Sequence, residues 1–171
     1  MSASTLLDFL RRADSPHIGV CVDTGNSIAL LEDPLAVVKA YAPWAFSTHL
    51  KDMGVEEYAD GFLLAEVPLG SGFLDLPKIL DTLRRARPEI HFNLEMMTRD
   101  PLKVPCLTRK YWATFGKLPG RDLADTLRLV RTHAPKEPLP RVGNLGREQK
   151  LQKEDENVRR SLTYARQHLG L

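Results

Sequence analysis

Short apolar segments alternate with segments of helical periodicity over residues 1–98. The strand-like segments are "PHIGVCVD", "WAFSTHLKD", "GFLLAEVPLGSGFLDL" and "EIHFNLEMM", and the helical ones are "STLLDFLRRA", "EDPLAVVKAYAP" and "LPKILDTLRRARP". A strand that is followed by a helix and then by another strand forms a crossover unit with parallel strands. The alternation therefore predicts an α/β fold that is built on a parallel sheet.

The predicted helices carry recognisable start and stop signals. Asp33 is suited to cap the second helix, with Pro34 in its first position, since Asp accepts backbone N–H bonds and Pro lacks an N–H. Pro77 opens the third helix, which ends before Pro88. Between the second and third strands we predict a polar loop.

The alternation stops at about residue 99. The segment "TRDPLKVPCLTRKYWATFGKLPG" is predicted to be irregular, and "RDLADTLRLVRTHA" and residues 146–169 are predicted to be helices. We interpret residues 1–98 as the sheet-forming part and residues 99–171 as an irregular loop and helical cover of the same domain. No second domain is expected.

Three of the four predicted strands end in a side chain that can bind a metal, namely Asp23, His49 and Glu95. The carboxyl ends of parallel strands share one face, and carboxylates with imidazole suit Mg, Mn, Co or Zn. Each residue alone is weak evidence, because a single His is more often structural and a single Glu beside a loop is usually solvated. Their recurrence on successive units predicts a site for one divalent ion.

Composition excludes several other classes of protein. Lys and Arg number 24 against 22 Asp and Glu, so the chain has no basic excess for nucleic acid. No apolar segment approaches the roughly 20 residues that span a bilayer, and the N-terminus has no signal pattern, so we expect a cytoplasmic protein with no membrane partner. Cys21 and Cys106 form no disulfide framework, and Cys21 is predicted to be a small buried apolar residue.

The segments "GVCVDTGNS", "HLKD", "PLGSGFLDLPKIL" and "FNLEMM" together resemble the second half of the xylose isomerase-like TIM barrels. That superfamily includes sugar isomerases and epimerases, inosose dehydratases and apurinic endonucleases of the endonuclease IV type. The resemblance covers residues 1 to about 97 in order and spacing. It implies that the four strands are the fifth to eighth of a barrel, and that Asp23, His49 and Glu95 occupy three metal-ligand positions.

The sequence departs from this family in one respect that concerns completeness. The family's remaining ligand is a Glu on the fourth strand, whereas the first Glu of this chain is Glu32. A full barrel takes about 250 residues. The resemblance thus implies a half barrel, whose open edges near residues 18–23 and 91–96 we expect to be covered in a homo-oligomer or by an N-terminal half.

A second departure separates the branches of the superfamily. The apurinic endonucleases have a His three residues after the Asp and an Asp-x-His before the Gly-rich turn. Here these positions hold Asn26 and Leu64-Ala65-Glu66. The resemblance therefore favours the sugar branch, and a nuclease is the least favoured alternative.

The sugar branch implies a metal-dependent isomerase or epimerase that acts on a small sugar or sugar derivative through an enediolate. Glu95 would be both a ligand and the acid or base, and Asn26, Lys51 and Asp52 are candidate substrate contacts. Lys51 and Asp52 could instead form bonds that support the metal ligands, and a surface salt bridge is the equal alternative for both. A turn cap is favoured for Asn26. Without the fourth-strand Glu, we expect this chain alone to be inactive or nearly so. A non-catalytic assembly module is the alternative.

Two further features have unremarkable interpretations. Gly70-Ser71-Gly72 is predicted to form a plain turn, although it could let a ligand approach the backbone. Arg99, Lys103 and Arg109 follow the last predicted strand, where they could recognise an acidic sugar, but a solvated loop is the favoured interpretation.

Overall fold

The computed structural model describes residues 1–113, 115 and 118–171. The helices are Ala3–Ala13 (α1), Pro34–Tyr41 (α2), Leu76–Ala86 (α3), Arg109–Trp112 (α4), Gly120–Thr132 (α5) and Arg147–Tyr164 (α6), which continues into a π-helical turn at Ala165–Leu169. The strands are Val20–Asp23 (β1), Ala45–Leu50 (β2), Asp52–Tyr58 (β3), Gly61–Val67 (β4), Asn93–Leu94 (β5) and Leu102–Val104 (β6). Within the described residues, no helix is long and apolar enough to cross a bilayer.

Local side-chain signals account for the helix starts. Asp33 caps α2 by accepting the backbone N–H of Ala36, and Pro34 is the first helical residue, as predicted. Asp75 caps α3 in the same manner. The N-cap of α1 is Ser2, whose hydroxyl accepts the N–H of Thr5. These carboxylate and hydroxyl caps satisfy N–H groups that have no partner within the helix.

The predicted parallel sheet is present, with strand order β1-β2-β5. Asp23 lies opposite His49, and His49 lies opposite Asn93. Strand β5 is shorter than the predicted segment "EIHFNLEMM", although the N–H of Glu95 still donates to the carbonyl of Leu50 at 2.9 Å. The fold is therefore α/β, and it fits part of a barrel.

A second, antiparallel sheet has the order β3-β4-β6 and corrects three expectations. The prediction of a polar loop between the second and third predicted strands is wrong, because Met53 and Val55 are buried and β3 pairs with β4 along its whole length. The third predicted strand exists as β4, but it lies in this sheet and not in the parallel one. Strand β6 lies within the segment that was expected to be irregular.

The main core lies between the parallel sheet and the helices. Val22 from β1, Leu50 from β2 and Leu83 from α3 are among its buried members. The C-terminal turn also contributes, through Ala165 and Leu169. Because each fully buried aliphatic side chain contributes about 1.5–3 kcal/mol, this cluster fixes the helices against one face of the sheet.

The opposite face of the parallel sheet is open. Cys21 on β1 pairs with Ser47 on β2. The next residues along the two strands, Val22 and Thr48, point to the other face and are buried. Cys21 is exposed, so the prediction of a buried apolar residue is wrong. Parallel sheets are normally covered on both faces. We call the residues Cys21, Ser47, His49 and Asn93 the open face.

The open face and the free edges of β1 and β5 predict self-association. We expect light scattering to show a mass that rises with protein concentration. Cys21→Lys should lower that association, because a charge on an edge strand disfavours pairing. Gln152→Lys adds the same charge on the exposed side of α6 and should leave it unchanged. A monomer mass at every concentration would contradict this expectation.

Candidate metal centre

The three predicted ligands converge at the carboxyl end of the parallel sheet. Asp23 ends β1, His49 lies near the end of β2, and Glu95 follows β5 directly. One ligand atom from each lies within 4.8 Å of the other two. Nδ1 of His49 is 3.0 Å from Oε2 of Glu95. The strand register explains this convergence, because laterally paired residues of parallel strands point to the same face.

The turn after β1 fixes the carboxylate of Asp23. Its Oδ1 accepts the backbone N–H groups of Gly25 at 2.9 Å and Asn26 at 2.7 Å, and its Oδ2 accepts the side-chain amide of Asn26 at 2.7 Å. Asn26 thus acts on the turn, which was its favoured interpretation. Since Asn26 is also exposed beside the centre, its contact with a substrate stays a prediction.

Lys51 is buried in the centre, with only 1% of its side chain exposed. Its Nζ lies 2.9 Å from Oδ2 of Asp23 and 2.8 Å from Oε2 of Glu95, so it is not part of a surface salt bridge. Burial acts to lower the pKa of Lys51, but Glu95, Asp23 and Glu66 outweigh it and the pKa is raised. Lys51 is therefore a cation held between two predicted ligands.

Glu66 on β4 adds a third carboxylate that the sequence interpretation did not assign to the site. Its side chain is 2% exposed and its Oε1 lies 3.8 Å from Nζ of Lys51. Oε2 accepts the backbone N–H of Met97 at 2.6 Å. A carboxylate inside the apolar run "GFLLAEV" is the signal that could have identified it, because such a charge needs a buried partner.

The structure does not bring Asp52 to the ligands. Its Oδ2 accepts the N–H groups of Gly70 at 3.0 Å and Gly72 at 2.9 Å, and its Oδ1 accepts those of Met53 at 2.9 Å and Leu74 at 3.2 Å. Burial raises the pKa of Asp52, against the opposing effect of these N–H groups. Asp52 therefore organises the loop after β4, and its role as a substrate contact stays an untested prediction.

The Gly-rich loop is shaped around that carboxylate. Gly70 has a φ of +80°, which residues with a Cβ adopt rarely. A Cβ at Gly72 would collide with the side chain of Asp52. The two glycines thus permit the close approach of the loop to Asp52, in agreement with the plain-turn interpretation.

The residues at the centre fit a divalent ion. Oε2 of Glu95 is buried and lies within 3.0 Å of two nitrogens, Nζ of Lys51 and Nδ1 of His49, so donor groups of three kinds meet at one point. Two carboxylates and an imidazole are an appropriate donor set for such ions. Three carboxylates, those of Asp23, Glu66 and Glu95, surround the single ammonium group of Lys51.

The fold and the centre define the class of protein. The sequence matches the xylose isomerase-like TIM barrel family over residues 1–114, and the chain belongs to that family. It is 37% identical over 73 residues to a 3-oxo-isoapionate decarboxylase from Pectobacterium atrosepticum, a match that covers 42% of this chain and 26% of that protein.

Two solved structures are similar to the fold. One is a xylose isomerase-like TIM barrel protein from Mycobacterium smegmatis in complex with magnesium, with a TM-score of 0.50, 16% identity, and coverage of 78% of this chain and 41% of that one. The other is a xylose isomerase domain protein from Planctomyces limnophilus, with a TM-score of 0.47, 21% identity and coverage of 77% and 43%. The chain thus spans less than half the length of each matched protein.

Asp52→Asn is expected to lower the free energy of unfolding by about 2–4 kcal/mol, because an amide nitrogen cannot accept the N–H bonds made to one of the two oxygens. Urea denaturation measures this loss. The matched control is Asp8→Asn, which alters an exposed pair with Arg11 and should change stability by less than about 0.5 kcal/mol. Equal losses in the two variants would show that the Asp52 contacts contribute little.

Proposed function

We propose that the chain carries the metal-binding part of a sugar isomerase or epimerase. The observation that supports this most directly is the convergence of Asp23, His49 and Glu95 beside Lys51. These three side chains would hold one divalent ion, of which Mn, Mg, Co and Zn are the candidates. When bound, the ion would polarise neighbouring oxygens of the sugar and so acidify the carbon between them.

Glu95 is the residue we assign to proton transfer. It would remove a proton from the carbon next to the carbonyl, leaving an enediolate, and return it to the neighbouring carbon for isomerisation. Epimerisation also needs a second group on the opposite face of the sugar. Among the described residues we assign no carboxylate to that second role, because the side chain of Glu66 is only 2% exposed and Asp23 is assigned as a ligand.

Decarboxylation of a 3-oxo sugar acid is a second candidate, which the similarity to the 3-oxo-isoapionate decarboxylase favours. Here the carbon–carbon bond to the carboxylate breaks, carbon dioxide leaves, and the electron pair passes to the neighbouring carbonyl to form an enolate. A proton from Glu95 then completes the product. This reaction needs one acid and no second base, and Glu95 is the one carboxylate that we assign to proton transfer.

Asp23→Ala and His49→Ala are each expected to weaken Mn²⁺ binding by more than about tenfold, because either change removes a proposed ligand. Titration calorimetry, with electron paramagnetic resonance of free Mn²⁺ as a second measurement, would show the loss. Asp8→Ala removes a carboxylate that lies on α1 and should have no effect. Equal Mn²⁺ affinity in the wild type and both ligand variants would refute this assignment.

Glu95→Gln is expected to reduce turnover about 10²–10⁴-fold with metal still bound, because the amide keeps an oxygen but cannot exchange the proton. The assay follows deuterium uptake next to the carbonyl of a ketose panel, and carbon dioxide release from 3-oxo sugar acids. The 171-residue chain should be nearly inactive in epimerisation, and a longer form with a fourth-strand Glu should be active.

The same assay separates the remaining alternatives. Robust epimerisation by the 171-residue chain alone would contradict the expectation that the fourth-strand Glu is needed as the second group. Metal binding without any turnover in the longer form would instead support a non-catalytic assembly module, which the open face of the parallel sheet also favours.

A further inference from the structure

Arg99 pairs with Glu66, the buried carboxylate next to Lys51, although a solvated loop was its favoured interpretation. Its Nη2 is 3.6 Å from Oε1 of Glu66, and the same oxygen is 3.8 Å from Nζ of Lys51. The Arg99 side chain is 41% exposed, whereas that of Glu66 is 2% exposed. Among the described residues, the guanidinium makes no hydrogen bond. A buried carboxylate next to Lys51 thus holds Arg99, while two fifths of the Arg99 side chain stays exposed.

Both residues before Arg99 are anchored. The backbone N–H of Met97 donates to Oε2 of Glu66 at 2.6 Å. The hydroxyl of Thr98 accepts the side-chain amide of Asn157, a buried residue of α6, at 3.1 Å. These two bonds fix the segment between Glu95 and Arg99.

The residue after Arg99 is anchored as well. Oδ1 of Asp100 accepts the backbone N–H groups of Val142 at 2.6 Å and Gly143 at 2.7 Å, and these bonds hold the pKa of Asp100 below its ordinary value. A Cβ at Gly143 would collide with this carboxylate, so the contact is close. Arg99 is therefore held from both sides by the fold.

The anchors of Thr98 and Asp100 come from the C-terminal part of the chain. Asn157, Val142 and Gly143 all lie beyond residues 1–114, the range over which the sequence matches its family. The position of Arg99 thus depends on a segment that lies outside the family match. In such a segment we expect a property that is particular to this chain.

The charges at the centre indicate what Arg99 would bind. With a divalent ion in place, the carboxylates of Asp23, Glu66 and Glu95 are neutralised together with Lys51, and Arg99 is the excess positive charge. A guanidinium pairs with a carboxylate through two parallel N–H bonds, a geometry that a neutral hydroxyl cannot match.

We propose that Arg99 recognises a carboxylate on the substrate, so that the centre acts on a sugar acid. The guanidinium of Arg99 is held in position by three parts of the chain, namely Glu66, Asn157 and the Val142–Gly143 segment, which we call positioning residues. The inference rests on the proposed metal-dependent function, and it adds the substrate class and the residue that selects it.

The test compares gluconate with glucitol, which share a carbon skeleton and differ in the carboxylate, by calorimetry on the Mn²⁺-loaded chain. Gluconate should bind at least about tenfold more tightly, because a charge-assisted pair is available to it alone. Arg99→Met should abolish this preference, and Arg99→Lys should keep part of it. Arg128→Met alters an exposed arginine of α5 and is the matched control, for which no change is expected.

Because the carboxylate of gluconate can also approach the ion, the Arg99→Met comparison decides the matter. An undiminished preference in that variant, or equal affinity of both probes for the wild type, would overturn the inference. Failure to bind Mn²⁺ would refute the proposed function instead, and it is measured separately before either probe is added.

The anchors are tested with Asp100→Ala and Asn157→Ala. Both should reduce the gluconate preference while Mn²⁺ affinity stays unchanged, since neither residue contacts the ligands. A purely structural role would lower the melting temperature and leave the ratio of the two affinities as it was. That result would overturn the assignment of these residues as positioning residues.

Discussion

The site depends on the ion pairs that the buried ammonium group of Lys51 makes. A buried charge without a partner costs several kcal/mol, and here the partners come from the ends of β1 and β5 and from β4. Lys51 lies between β2 and β3, at the residue where the chain leaves the parallel sheet for the antiparallel one. The ion pairs that compensate its charge therefore join the parallel sheet to strand β4 of the antiparallel sheet at the candidate site.

Asp52, the next residue in the sequence, is a second buried charge with a different set of partners. Lys51 and Asp52 are adjacent in sequence and both are buried, but their side chains serve opposite sides of the junction. Lys51 faces the carboxylates of the centre, while Asp52 accepts four backbone N–H groups, three of them from the loop after β4. Two charged residues that would ordinarily be solvated are thus buried side by side. The charge of Lys51 is compensated by carboxylates of the candidate site, and that of Asp52 by backbone N–H groups of the adjoining loop.

The sequence predicted those parts of the fold and the site that depend on local signals. Asp33 with Pro34 marked α2, and strand ends predicted that Asp23, His49 and Glu95 meet. Strand β3 was not recognised because it contains Gly54 and three acidic residues, Asp52, Glu56 and Glu57, and so resembles a polar loop. The pairing of Glu66 with Arg99 was not predictable from local pattern either, because these residues are distant in sequence and only tertiary packing brings them together.

Two of the three candidate ligands are held in place by the protein itself, since Asp23 is fixed by its own turn and Glu95 by the carbonyl of Leu50 and by Lys51. An ion would therefore enter a preformed site on rigid strand ends. His49 belongs both to that site and to the open face of the sheet. A partner chain or further barrel strands that cover the open face would thus also contact the centre, which couples completion of the fold to the chemistry of the site.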